Sequence, residues 1–149
     1  MSVNYLRFIP ADPDYEPPLA GDQQALQLLA SFVPNSTEIV SHRYDTIHFV
    51  DAGSNWESVH CSRCEAVLAD EAWGYLVDQA YVVQFADLSI RMPCCGTISS
   101  LNDLRYGWSV GFARFVLQAR DPDADISREQ LRLLEDVLGC LLRKIWAHY

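Results

Sequence analysis

The stretch Gly111-Phe-Ala-Arg-Phe-Val-Leu-Gln-Ala119 decides the fold, because its dense apolar and aromatic residues favour a β-strand. Three of its side chains, Phe112, Phe115 and Leu117, are available for a hydrophobic core. The sequence therefore predicts a core strand over residues 111–119, and the segments around it are interpreted relative to this strand.

A helix and a further strand are predicted after this core strand. Ser127, with Glu129 nearby, is expected to start a helix, and Gly139 is expected to end it. Helical spacing continues into residues 140–149, so one long helix is an alternative. Gly139 interrupts that spacing, however, and the residues 145–149 suit a strand. We therefore expect a terminal strand.

The beginning of the chain has the same order of elements. Residues 3–9 are rich in β-forming side chains and predict a strand. Asp22 is expected to cap a helix over residues 23–33, and two short extended runs follow at 37–44 and 46–50. The order strand, helix, strand thus occurs at both ends of the chain.

This order predicts an α+β fold, namely the split β-α-β arrangement of a ferredoxin-like sheet. A chain of 149 residues, half of them apolar, is expected to form a single domain over residues 1–149. Residues 54–106 would be an insertion between the two halves. Within the insertion we expect a helix over roughly 69–80 and strands near 83–91 and 97–101.

Two cysteine clusters are the main chemical feature of the insertion. Cys61-Ser-Arg-Cys64 forms the first cluster, and Cys94-Cys95 follows after a gap of 29 residues. Without a recognisable secretion signal, a disulfide framework is disfavoured. Four thiolates in two clusters suit a tetrahedral Zn²⁺ ion, because two residues between ligands allow one tight turn to offer both sulfurs.

The second cluster also resembles a known family of zinc sites. Met92-Pro-Cys-Cys-Gly96 is similar to the Cys-Pro-x-Cys-Gly knuckle of zinc ribbons. In this comparison Cys95 and Gly96 match the second cysteine and its glycine, whereas Met92 stands at the first cysteine. Glu65 similarly stands where the first knuckle has its glycine. The resemblance implies an inserted zinc-ribbon-like lobe with a structural zinc ion, and it implies no activity.

The sequence leaves the details of this site open. The proposed ligands are Cys61, Cys64, Cys95 and Cys94, with His60 as the alternative to Cys94. A ribbon that has lost its metal, or a redox role for the cysteines, are competing interpretations. A catalytic zinc ion would need an open coordination position and a base, for which Glu57 and Glu65 are the local candidates.

The charge of the chain limits its partners. Twenty acidic and eleven basic residues give a net charge of −9, which disfavours binding to nucleic acid or to anionic membranes. Nucleic-acid binding would require Arg63, Arg91 and Arg105 to converge on one face. No apolar run approaches the ~20 residues of a membrane span. A cytoplasmic location is expected, because no signal peptide is recognisable.

Other motifs carry little functional signal. Asp121-Pro-Asp-Ala-Asp125 imitates a calcium loop, but Ile126 replaces the required glycine and Arg132 the required glutamate. His42 and His48 could face one another across neighbouring extended runs. Phosphate loops and hydrolase or metalloprotease signatures are not found.

These observations favour a binding protein over an enzyme. We expect a non-catalytic, acidic protein-binding module with a structural zinc ion. One specific version of this function is an inhibitor or immunity-type partner of a basic protein. Arg105, Tyr106 and Trp108 are the expected partner contacts, since aromatic and arginine side chains often anchor protein interfaces. The alternative is an enzyme that uses the cysteine region for zinc-assisted hydrolysis or for thiol redox chemistry.

Overall fold

Nine β-strands and three α-helices form between Ser2 and Tyr149, the part of the chain that the computed structural model describes. In chain order these elements are β1 (Asn4–Pro10), α1 (Leu19–Phe32), β2 (Glu38–Val50), β3 (Val59–His60), β4 (Val67–Leu68), α2 (Asp70–Tyr81), β5 (Ser89–Arg91), β6 (Ile98–Ser100), β7 (Arg105–Tyr106), β8 (Gly111–Arg120), α3 (Arg128–Leu138) and β9 (Leu142–His148). The fold is mixed α/β with antiparallel sheets, which confirms the expected class at this level.

The main sheet has four antiparallel strands in the order β2-β8-β1-β9. The predicted core strand is β8, and it lies between β1 and β2. Helices α1 and α3 pack against each other and against one face of this sheet. The predicted terminal strand is confirmed as β9. The core between sheet and helices is built from Leu6, Phe8, Leu29, Phe115, Leu117, Leu134 and Leu138, all of which are fully buried.

Local sequence signals explain where α3 begins and ends. The Ser127 side chain accepts a hydrogen bond from the backbone N–H of Gln130, whose side chain accepts one from the backbone N–H of Ser127. This capping box is formed by Ser127 and Gln130, while Glu129 lies in the first turn, so the predicted start of the helix at Ser127 is confirmed. Gly139 has a φ of 76° and ends the helix in the left-handed conformation, as predicted.

Helix α1 begins earlier than its sequence predicts. Its first residue is Leu19, after Pro18, and Asp22 lies in the first turn instead of at the cap. Proline fixes a backbone angle that suits the entry to a helix, and this outweighed the capping preference of Asp22. Gly21 then allows close packing on α3, because a Cβ there would lie 2.3 Å from the carbonyl oxygen of Val137.

Two extended segments also differ from their predictions. The runs at 37–44 and 46–50 form one strand, β2, whose register against β8 shifts between Arg43 and His48. The strand expected at 83–91 is confined to β5. Gln84 and Phe85 both have positive φ angles, so a turn follows α2 where the run of apolar residues suggested a strand.

The strands β3 to β7, with α2, form a lobe over residues 59–106. The lobe contains a three-stranded sheet, in the order β4-β3-β7, and the hairpin β5-β6. Its apolar core includes Cys61, Met92 and Leu101, and it reaches the main sheet through Phe112. No helix within residues 2–149 combines the length and the apolar character that a bilayer crossing requires.

Candidate metal centre

The four candidate ligands come from two turns, each of which closes a short hairpin. The first cysteine turn, residues 61–66, joins β3 to β4, and the second cysteine turn, residues 92–97, joins β5 to β6. Strands of two or three residues position the turns, and the shared apolar core holds the hairpins together. Two segments that are far apart in sequence therefore present their sulfurs to one point.

The two cysteine turns have the same backbone hydrogen bonds. In the first, the N–H of Cys61 donates to Ala66 O at 2.9 Å, and the N–H of Glu65 donates to Cys61 O at 3.1 Å. In the second, the N–H groups of Met92 and Gly96 make the equivalent bonds, both at 2.9 Å, to the carbonyl oxygens of Thr97 and Met92. The two turns are thus structurally equivalent, residue for residue.

This equivalence explains how the second turn contributes two thiols to the cluster although its first position holds no cysteine. Met92 occupies the place that Cys61 has in the first turn, and its side chain is 1% exposed within the lobe core. Cys94, two residues further on, is exposed, and its sulfur lies 3.4 Å from that of Cys64. Met92 therefore fills the core, and Cys94 supplies the thiol that Met92 lacks.

The four sulfurs have a spacing that suits a metal ion. The Sγ atoms of Cys61, Cys64, Cys94 and Cys95 all lie within 4.8 Å of one another. Those of Cys61 and Cys95 are 3.8 Å apart. Sulfurs that surround a tetrahedral zinc ion at about 2.3 Å are roughly 3.8 Å from each other. The cluster could therefore hold a metal ion with small side-chain adjustments.

Hydrogen bonds shift the acidities of three of these thiols, Cys61, Cys94 and Cys95. Backbone N–H groups of Cys64 and Arg63 lower the pKa of Cys61 to about 6. The hydroxyl and backbone of Thr97 lower the pKa of Cys95. The side-chain hydrogen bond with Cys64, together with desolvation, raises the pKa of Cys94 to about 12. Metal binding would thus have to displace the proton of Cys94, so affinity should fall at low pH.

His60, the alternative fourth ligand, lies outside this cluster of ligand atoms, and Cys94 completes the set. His60 lines a shallow cavity of about 350 Å³ together with Glu65, Arg105 and Tyr106. Glu65 forms an ion pair with Arg105 there, and Glu57 is exposed beside Gly107.

Glu65 adopts an unusual backbone conformation. Its φ is 65°, and the equivalent Gly96 has a φ of 74°. A β-carbon in this left-handed region costs roughly 1–2 kcal/mol, which glycine avoids. Glu65 gains an ion pair with Arg105 in return, but both side chains are largely exposed, and such pairs contribute about 0.2–1 kcal/mol. The first cysteine turn is therefore strained.

We expect Glu65→Gly to be about 1 kcal/mol more stable than Glu65→Ala, because both variants lose the ion pair and only glycine relieves the strain. Urea unfolding of the two variants, measured under identical metal conditions, gives the difference. Equal midpoints would contradict the strain at this position. Gly96→Ala provides the matched control, since it introduces the same strain into the second turn.

The three expected partner contacts lie in or directly after β7. Arg105 is exposed and paired with Glu65. Tyr106 is half-buried, and its hydroxyl donates to Leu101 O at 2.6 Å and accepts from the Trp73 indole at 3.2 Å. Burial raises the pKa of Tyr106 to about 12. Trp108 is half-buried as well, with its indole N–H bonded to Trp146 O at 2.7 Å. The two aromatic side chains thus have structural contacts, and their role in partner binding stays a prediction.

The two histidines singled out by the sequence do not contact each other directly. Tyr44 lies between them, with ring centroids 6.1 Å from His42 and 3.9 Å from His48. The three rings line a cavity of about 240 Å³ on the sheet face opposite α1 and α3. Tyr44 lies within the segment of β2 in which the register against β8 shifts, between Arg43 and His48.

Sequence reasoning missed a second surface, which is centred on α2. Residues 70–87 contain Asp70, Glu71, Asp78 and Asp87 but no lysine, arginine or histidine. Four large apolar side chains of the same segment are at least half exposed: Tyr75, Tyr81, Val82 and Val83. The absence of basic residues from the segment was a signal that could have found this acidic α2 surface.

Protein-family models, curated proteins and solved structures all show no match to this chain.

Proposed function

We propose that this chain is a non-catalytic protein-binding module that contains a structural zinc ion and binds a basic protein. The acidic α2 surface, residues 70–87, is the observation that carries the proposal. Exposed aromatic side chains contribute strongly to many protein interfaces, and surrounding carboxylates attract a partner of opposite charge. An inhibitor or immunity-type protein that covers a basic active site is the most specific form of this function.

The cysteine cluster supports a structural zinc ion. Four thiolates complete a tetrahedral coordination shell, whereas a catalytic zinc ion keeps one position for water or substrate. The short hairpins that carry the two cysteine turns would gain stability from such a link. The equivalent hydrogen bonds of the two turns further support the interpretation of residues 59–106 as a zinc-ribbon-like lobe.

The architecture of the main sheet supports a ferredoxin-like interpretation. Two strand–helix–strand units, β1-α1-β2 and β8-α3-β9, contribute to one antiparallel sheet, and both helices pack on the same face. The lobe would then be an insertion between the units. Since Phe112 of β8 belongs to the core of the lobe, we infer that lobe and sheet form a single domain.

The partner proposal is tested by charge reversal on α2. We expect Glu71→Lys with Asp78→Lys to weaken binding to the partner by about tenfold or more. The two new lysines would face the positive charges of the basic partner and repel them. The partner is first isolated by affinity capture, purified, and titrated against the chain at two salt concentrations. The expected partner is a basic protein whose binding weakens with salt.

The matched control changes the same charges on another helix. Glu129→Lys with Asp136→Lys places two lysines on exposed positions of α3, one of them in its first turn, as in the α2 variant. This control should retain binding. A partner that binds both double variants equally well, or one that is acidic, would overturn the proposed function.

A further inference from the structure

A pocket of about 330 Å³ lies where the end of β2 meets the first half of α2. Its walls include the aromatic rings of Phe49, Trp56 and Trp73, and its α2 side carries Asp70 and Gly74. Its α2 side belongs to the N-terminal end of the acidic α2 surface. The combination of aromatic walls and an adjacent carboxylate restricts the chemical class of ligand that the pocket can bind.

The rings of this pocket are held in place by hydrogen bonds. The indole N–H of Trp73 donates to the Tyr106 hydroxyl at 3.2 Å, and that of Trp56 donates to a carboxylate oxygen of Asp70 at 3.3 Å. The two indole centroids are 4.7 Å apart, and Phe49 lies edge-on to Trp73 at 5.4 Å. The walls are thus preorganised, which lowers the entropic cost of binding.

Gly74 keeps the pocket open. A β-carbon at this position in α2 would meet no atom within 4 Å, and its φ is not in the left-handed region. The fold therefore does not require glycine here, although glycine within a helix is destabilising relative to alanine. The missing side chain leaves space beside the indole rings.

The pocket carries negative charge that is not neutralised locally. Asp51, on its β2 side, forms an ion pair with Arg7 at 3.7 Å and accepts a hydrogen bond from Tyr149. Asp70 makes no ion pair with any residue between Ser2 and Tyr149, and its hydrogen-bond donor, the Trp56 indole, is neutral. An anionic ligand would be repelled, and a purely apolar one would desolvate Asp70 without compensation.

We propose that this pocket binds the alkylammonium side chain of a lysine on the partner protein. The methylene groups would pack against the indole faces, and the ammonium group would contact the aromatic rings and the Asp70 carboxylate. This inference rests on the proposed function, because it names the group of the basic partner that the chain recognises.

The test uses a small probe and the zinc-loaded 149-residue chain. Nα-acetyl-lysine methylamide is titrated while the indole N–H signals of Trp56 and Trp73 are followed by NMR, each assigned with a Trp→Phe variant. Nα-acetyl-norleucine methylamide is the neutral control probe of similar shape. We expect both indole signals to shift with the lysine probe, and the norleucine probe to bind roughly three- to fivefold more weakly.

Four variants test the location of the binding site. Asp70→Asn keeps an acceptor for Trp56 but removes the charge, and should weaken lysine binding roughly three- to fivefold. Gly74→Met should fill the pocket and abolish binding, whereas Gly74→Ala should raise the Tm by roughly 2–4 °C and so show that the helix tolerates a side chain there. Asp78→Asn, an exposed charge removal on the same helix, should have no effect.

Equal affinity for the two probes would overturn the inference, as would indole signals that neither probe shifts. Undiminished binding of the lysine probe to Asp70→Asn, or retained binding to Gly74→Met, would overturn it as well. Failure of the proposed function has a different signature. In that case the partner binds the Glu71→Lys, Asp78→Lys variant normally, whereas the unmodified chain still binds the lysine probe.

Discussion

Cys64→Ser is expected to abolish stoichiometric zinc binding and to unfold the lobe while the main sheet stays folded. Cys64 is exposed, so its replacement removes one ligand without disturbing the core. The hairpins β3-β4 and β5-β6 have strands of two or three residues, so we expect their stability to depend on a metal link in addition to the shared apolar core. We expect zinc content to fall from about one ion per chain to nearly none, because three thiolates leave the site incomplete.

The stability of the lobe should fall by at least about 3 kcal/mol, a fraction of the roughly 10–16 kcal/mol that zinc contributes to isolated zinc-finger peptides. Hydrogen exchange distinguishes the two regions, since amides of residues 59–106 should lose protection while those of β1 and β8 keep it. Elemental analysis of protein purified without added metal or chelator measures the zinc content.

Cys140→Ala is the matched control, because Cys140 is half-buried against the helices and lies outside the cluster. It should keep its zinc. Stoichiometric zinc in Cys64→Ser, or an equal loss of metal in Cys140→Ala, would contradict the assignment of the four ligands. Freely reactive thiols and no metal in the unmodified chain would favour a decayed site or redox chemistry.

The sequence predicted the cysteine turns well because their spacing is a local property. Two residues between Cys61 and Cys64, and a glycine after Cys95, constrain the backbone wherever the turn lies. The role of Met92 was not predictable in the same way. It depends on an apolar core that forms from strands and helix distant in sequence, and there a thioether packs where a thiol would otherwise bind metal.

Helix and strand types were predicted better than their limits. The amphipathic pattern around Leu134 and Leu138 and the cap at Ser127 are strong local signals. The start of α1 and the turn at Gln84 and Phe85 depended on competing local preferences. At α1 the preference of Pro18 prevailed, whereas packing decided the turn, since Phe85 inserts into the core of the lobe from a left-handed backbone conformation.

How the lobe attaches to the sheet could not be predicted at all. Asn102 precedes an aspartate and resembles a turn residue, yet it is 6% exposed. Its side-chain oxygen accepts hydrogen bonds from the Phe112 N–H and from Arg143, both at 3.1 Å. Its amide nitrogen donates to Ala11 O at 3.3 Å. One side chain thus connects three segments of the main sheet region to the lobe.

Asn102→Ala is therefore expected to destabilise the chain by about 2–4 kcal/mol, because it leaves the Phe112 N–H buried without an acceptor and removes one acceptor from Arg143. Arg143 also donates to Val110 O at 2.9 Å and to Asn102 O at 3.2 Å, so part of its hydrogen bonding survives. Thermal and urea unfolding measure the loss, and zinc content should stay at its normal value.

Asn55→Ala is a suitable comparison, since Asn55 is half-buried but makes one side-chain hydrogen bond, to Trp146 O at 3.2 Å. We expect it to cost about 1 kcal/mol or less. Asn102→Asp separates charge from shape, because it keeps the acceptor for Phe112 and adds an attraction to Arg143 while it loses the donor to Ala11. If Asn102→Ala were no more damaging than Asn55→Ala, the hydrogen bonds of Asn102 would not fix the lobe on the sheet.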